Sequence, residues 1–156
     1  MNIYKKKLIN NSLRLNSIAN YFIELTDKDD FIELHKFIKN KNLPVLLIGE
    51  GTNVVLPDIF EGIVVKPNFN EINFNEYNNT ISAGSSVNWH EFVIHTINNN
   101  IVGFENLSSI PGSVGASPIQ NIGAYGQEVS NLIESVDCYD YICLLYTSPS
   151  PRDQEA

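Results

Sequence analysis

Two stretches of the chain carry residue types at a spacing that could do chemistry. In the first, Gly49, Glu50, Gly51, Thr52 and Asn53 follow directly on the apolar run 45–48. Glycines let a backbone approach oxygen anions closely and turn successive amides toward them, so this pattern suits a phosphate cradle that needs no lysine. It suits a plain tight turn equally well, and Glu50 could face away from an anion or hold a hydroxyl. The second stretch runs from Ile110 through Pro111, Gly112, Ser113, Val114, Gly115, Ala116, Ser117, Pro118, Ile119, Gln120, Asn121, Ile122, Gly123, Ala124 and Tyr125 to Gly126. Its four glycines and two prolines impose special backbone angles, while Ser113, Ser117, Gln120 and Asn121 add donors and acceptors. Such a loop can line a flat, heteroatom-rich ring system, and a rigid structural loop is the competing reading.

Several rival chemistries lack their signatures. No Gly-x-Gly-x-x-Gly opens a helix, and there is no Gly-Lys-Ser/Thr phosphate loop, His-Glu-x-x-His pair or nucleophile elbow. Cys138 and Cys143 have neither a second pair nor a histidine cluster beside them, so no metal site is expected. A formal net charge of −8 argues against a nucleic-acid partner. The short basic run Lys5, Lys6, Lys7 is expected to be a solvated tail. No unbroken apolar stretch is long enough for a membrane span, and the N-terminus has no apolar core behind its lysines, so a cytoplasmic address is expected.

The elements that must position these stretches follow from apolar periodicity. Residues 21–25 suit a strand, with Thr26 and Asp29 at capping-box spacing before a helix whose face is Phe31, Leu34, His35 and Ile38. His35 falls at the edge of that face. The run 45–48 between Pro44 and Gly49 predicts a strand buried on both faces and paired in parallel with the first, which leaves Gly49 at a strand's carboxyl end, where open α/β sheets bind ligands. Residues 62–65 give a further strand, and Pro67 with the asparagines after it marks a boundary between lobes. Ile72 and Phe74 alternate with polar residues, Asn78 and Asn79 offer a turn, and residues 80–83 can return as partner strand. Trp89, Phe92, Val93, Thr96 and Ile97 repeat at helical spacing up to Asn98, with Trp89 in the core and His90 and His95 outside the repeat. Segment 103–126 reads as a long ordered loop, and 132–139 as a resumed strand.

Taken together, residues 49–53 with Phe104, Glu105, Asn106, Leu107 and the 110–126 segment closely resemble the UDP-N-acetylenolpyruvoylglucosamine reductase (UDP-N-acetylmuramate dehydrogenase) family, over about residues 10–140 and including Asn11, Ser12 and Leu13. The resemblance implies an α+β, two-lobed FAD-binding domain of the type shared with vanillyl-alcohol oxidase, truncated here. It implies a flavin held between lobes, NADPH as reductant, a UDP-sugar substrate and a role in peptidoglycan and cell-wall synthesis. By motif position Gly49, Glu50, Gly51, Thr52 and Asn53 would sit at the FAD pyrophosphate. Ile110, Pro111, Gly112, Gly115, Ala116, Ser117, Ile119, Ile122 and Gly123 would border the flavin or adenine end. Tyr125 is a candidate for the substrate side, with core packing as the alternative. The family's catalytic arginine, serine or cysteine, and glutamate lie beyond the matched region, so no catalytic residue is assigned.

The implied layout is a first FAD-binding lobe at 1–66, an incomplete second lobe at 67–140 and no substrate domain. Residues 141–156 resemble a translated sequencing-adapter segment and are expected to be a non-native tail. Weak flavin affinity and no turnover are the expectations for the chain by itself. An FAD-binding oxidase of another substrate and a non-enzymatic nucleotide-binding module are the alternatives.

Overall fold

The computed structural model describes residues 1–140 and the short strand at 146–147. The chain separates into two units of internal contacts, Met1–Phe69 and a second from Asn70 onward. The first unit is a four-stranded sheet with one helix. Strands β1 (Asn2–Ile9) and β2 (Ser17–Leu25) pair antiparallel, helix α1 (Asp30–Lys41) follows, and β3 (Val45–Leu47) and β4 (Ile59–Pro67) complete the order β1-β2-β4-β3. Strand β4 runs parallel to both of its neighbours.

This order corrects two expectations. Strands β2 and β3 run parallel but do not touch in the ladder, because β4 lies between them. The strand buried on both faces is therefore β4, where Ile63, Val64 and Val65 are almost wholly enclosed, whereas β3 is an edge with Leu47 exposed. Alternation along β4 sends Val64 to one side, with Ile9, Phe22, Ile48 and Leu56, and Ile63 and Val65 to the other, with Ile23, Leu25 and Leu34 of α1.

The basic run is not a solvated tail either. Lys5 and Lys7 lie in β1, facing Tyr21 and Ala19 across the ladder. Lys7 Nζ is 2.6 Å from the Glu24 carboxylate and stands 3.8 Å over the Tyr4 ring. Lysines on an exposed edge also discourage a further strand from pairing there.

The start of α1 differs from the expected capping box. Asp29 occupies the cap position without a side-chain cap bond, and Asp30 organises the turn. Its carboxylate accepts from the Thr26 and Asp27 amides at 2.7 and 3.0 Å and lies 2.6 Å from the terminal amine of Met1. Burial pushes the Asp30 carboxyl upward, but these bonds and the adjacent positive charge outweigh it and hold the pKa at about 2.

In the second unit β5 (Ile72–Asn75) and β6 (Thr80–Ala83) form the expected hairpin, with Asn79 at φ 54° in its turn. Helix α2 (Trp89–Asn98) starts on an Asn88 side chain that accepts from the Glu91 amide. Its buried face is Trp89, Phe92, Val93 and Thr96, while Ile97, expected on that face, is exposed. Trp89, Phe92 and Phe104 pack ring against ring, and Trp89 Nε1 donates to the Leu107 carbonyl at 2.7 Å. His90 and His95 stay outside this core: the His90 ring accepts from the Ser109 amide, and the His95 ring meets the Asn99 side chain.

Beyond the long loop come the two-residue strands β7 (Gly123–Ala124), β8 (Gln127–Glu128) and β9 (Cys138–Tyr139). Most of the predicted strand at 132–139 is irregular, because Leu132 and Ile133 fold back onto Val129 through 2.9 and 3.2 Å backbone bonds. Strand β9 pairs antiparallel with β10 (Tyr146–Thr147). Cys143 and the remainder of the expected tail lie outside the described residues.

Two outcomes follow. Trp89→Phe removes a buried donor from the Leu107 carbonyl and leaves a void, and should lower unfolding free energy by about 1–3 kcal/mol in denaturant titration. The Asp30 pKa is lowered in the fold, so its stabilisation is complete above the unfolded value near 3.8 and is lost as pH falls toward about 2. Asp30→Asn should accordingly show a smaller loss of melting temperature between pH 4 and pH 2 than the parent.

Candidate functional site

In the first unit the candidate loop leaves β3 through Ile48, whose amide donates to Val65 of β4 at 3.0 Å. The loop then packs on the segment between β1 and β2. The Ser12 amide donates to the Gly51 carbonyl at 3.0 Å and the Ser12 hydroxyl to the Thr52 carbonyl at 3.2 Å. Gly51 has φ 69°, and a Cβ there would lie 2.7 Å from the Asn10 carbonyl oxygen and 3.0 Å from Asn11 Cα. Only glycine fits such a contact in that conformation.

The Asn11 side chain holds its own segment in shape. Its Nδ2 donates to the Ile9 and Leu15 carbonyls, and its Oδ1 accepts from the Leu15 amide. Because Ser12 engages the carbonyls of the 49–53 loop, the amides face elsewhere. Those of Gly51, Thr52 and Asn53 donate to no acceptor among the described residues. Successive unpaired amides on a glycine turn form an anion-binding concavity. The part played by Asn11 and Ser12 was not legible, since nothing local ties residue 12 to residues 51 and 52.

In the second unit the 110–117 segment crosses the start of α2. The Trp89 amide donates to Gly112 and the Val114 amide to Val87, at 3.0 and 2.9 Å. Gly112, at φ 134°, and Ser113 are both buried, and their amides have no acceptor among the described residues. Buried amides left without a partner are rare, and here they mark a place where a ligand acceptor fits. The Gly115 amide donates to the Ser85 carbonyl at 2.9 Å, and a Cβ on Gly115 would meet Ser85 Cβ at 2.5 Å. The Ser85 hydroxyl oxygen is itself buried without a partner. Ser85 is a contact the sequence reading missed, and the run of small residues at 83–86 was its only signal.

Other predicted residues sit as follows. The Ser117 hydroxyl, buried, donates to Val114, and the Asn121 side chain braces Glu128 and Ser130, so their polar groups serve the loop itself. Pro111 and Ile119 are exposed, while Ile110 and Ile122 pack on the core of the unit, with Ala116 half-buried on the same segment. Gly123 lies in β7, where a Cβ would meet the Gln127 carbonyl at 2.9 Å. Tyr125 does not pack in the core. With Gly126 it forms the two-residue tip between β7 and β8, both at positive φ, and it is 93% exposed. Among the described residues there is no metal-holding cluster and no helix long and apolar enough to cross a membrane.

Residues 19–141 match the model of the FAD binding domain family. The chain belongs to that family. Among curated proteins it is 36% identical to the UDP-N-acetylenolpyruvoylglucosamine reductase of Polynucleobacter asymbioticus over 133 residues, which is 83% of this chain and 39% of the relative. It is 39% identical to the enzyme of that name from Neisseria meningitidis serogroup B, over 83% of this chain and 38% of the relative. The chain thus spans about two fifths of the length of these relatives. Among solved structures it resembles UDP-N-acetylenolpyruvylglucosamine reductase from Thermus caldophilus, with TM-score 0.61, 18% identity and coverage of 88% of this chain and 47% of that one. A solvent-stable cholesterol oxidase gives TM-score 0.61 at 13% identity, covering 95% of this chain and 32% of that one. These bear out the expected α+β FAD-binding fold and the resemblance to the FAD-binding portion of the reductases.

The close approach at Gly51 sets a test of this geometry. Gly51→Ala should lower unfolding free energy by at least about 1–2 kcal/mol from the left-handed backbone alone, as read by denaturant midpoint. Amide exchange at Thr52 and Asn53 in the same variant should report a displaced loop.

Proposed function

We propose that the chain holds FAD and serves as the FAD-binding part of a reductase that converts UDP-N-acetylenolpyruvoylglucosamine to UDP-N-acetylmuramate. The observation that carries this reading is the set of unpaired amides at Gly51, Thr52 and Asn53 in one loop and at Gly112 and Ser113 in the other. The residues present fit the cofactor. The amides of the 49–53 loop suit the pyrophosphate, whose charge they can meet without a titrating group. Gly112, Gly115 and the neighbouring Ser113 suit a flat ring edge, where close approach and amide donors are both needed.

When bound, FAD supplies hydride chemistry, and the protein supplies position and electrostatics. Pro111 and Ile119 offer apolar surface beside the amides, and Tyr125 at its exposed tip is placed for the substrate side. NADPH as reductant, the UDP-sugar as substrate, peptidoglycan synthesis and a cytoplasmic setting complete the reading, supported by the names of the relatives. None of the residues on these loops is placed as a proton donor.

Titration of the purified chain with FAD should give saturable quenching of flavin fluorescence, weaker than that of a protein extended to the full length of its relatives. The extended protein should oxidise NADPH only when the enolpyruvyl UDP-sugar is present. Production of hydrogen peroxide with another alcohol donor in its place would overturn the reductase reading and leave the FAD site standing.

A further inference from the structure

Arg14 lies in the segment that clasps the 49–53 loop, two residues beyond the Ser12 that bonds to Gly51 and Thr52. It is exposed, makes no ion pair among the described residues and adopts φ 56°, a conformation that disfavours a branched-off side chain. Its amide donates to the Asn11 carbonyl at 3.2 Å, so the segment turns back on itself instead of running away from the loop. Two residues of chain span at most about 7 Å, and the turn shortens this, so a long side chain at position 14 can reach an anion seated on the Gly51, Thr52 and Asn53 amides.

The charge setting makes a cation there consequential. The chain carries a formal net charge of −8, and Glu50 stands within the loop itself. Amides alone would have to hold a doubly charged group against that background. The lysine of β1 with a printed acidic partner, Lys7, is engaged by Glu24. A guanidinium differs from a lysine ammonium in presenting a planar fork of donors that matches two phosphate oxygens.

We propose that Arg14 is a phosphate-binding residue, closing over a pyrophosphate held on the amides of the 49–53 loop. This rests on the FAD reading of that loop and adds to it a charged ligand from a different part of the chain. The left-handed backbone at Arg14 serves the position of the side chain and would be more comfortable as glycine, so stability and binding pull in opposite directions at this residue.

The test titrates FAD into the 156-residue chain and its Arg14→Gly and Arg14→Lys variants at low and high salt, with phosphate-free riboflavin as control. Arg14→Gly should melt at or above the parent temperature yet bind FAD about three- to tenfold more weakly, with a flatter salt dependence. Arg14→Lys should recover part of the affinity, and riboflavin binding should be unchanged. Equal FAD affinity and equal salt dependence in the parent and Arg14→Gly would overturn the role of Arg14 while leaving the FAD site intact. A folded parent that takes up no FAD would overturn the FAD reading itself and this inference with it.

Discussion

At Gly51 the chain brings backbone against backbone with no side chain between, close enough that a single methyl group would sit 2.7 Å from the Asn10 carbonyl. The contact fixes which way the loop's peptide groups face. With the Gly51 and Thr52 carbonyls turned toward Ser12, the amides of residues 51–53 are left over, and they are the chemistry of the loop. The second unit repeats the device with other residues, since Gly115 presses on Ser85 and the amides of Gly112 and Ser113 remain unpaired. Glycine thus acts twice, by permitting the approach and by settling the direction of the donors that the approach leaves free.

The sheet of the first unit holds this contact in place. The two segments that meet at Gly51 emerge from different strands: one leaves β1, the other leaves β3, and two strands separate them in the ladder. Bringing their ends together depends on β4 in the middle, where Ile63, Val64 and Val65 fill both faces. Gly62 contributes by its size, because a Cβ there would lie 2.5 Å from the Pro44 carbonyl that accepts the Ile63 amide. Loss of packing at β4 would therefore reach the loop by displacing β3, although no residue of β4 lies in the loop.

Much of this was legible from residue types, and the failures share one cause. The β5–β6 hairpin, helix α2 and the core position of Trp89 followed from local periodicity and turn residues, all of which act within a few positions. The insertion of β4 between β2 and β3 is a choice among apolar runs of similar composition, and only three-dimensional packing decides which of them is enclosed on both sides. Strand β1 was hidden because its exposed residues are lysines, which read as a tail until pairing with β2 gives them a role. The glycine pattern announced both candidate loops, but the partners that orient them, Ser12 across about forty positions and Ser85 across thirty, left no periodic trace. Tyr125 misled for another reason: an aromatic residue in an apolar motif suggests burial, and its positive φ at a two-residue hairpin tip carries it outward.

The acidic balance of the chain and an anionic ligand are compatible because the recognition is carried first by peptide dipoles. An amide that faces a ligand has been oriented during folding, so the entropic cost of arranging it is not charged again on binding. A long cationic side chain is the reverse case: it is mobile in the free protein and must be ordered when it engages, but its charge acts over a Debye length that the dipoles do not reach. A loop with both can use the amides for geometry and the cation for attraction, against the field of a chain whose net charge is −8. The arrangement at residues 11–15 fits that division, with Asn11 and Ser12 spending their hydrogen bonds on backbone order while Arg14, alone in that turn, keeps a charge with no carboxylate among the described residues to neutralise it.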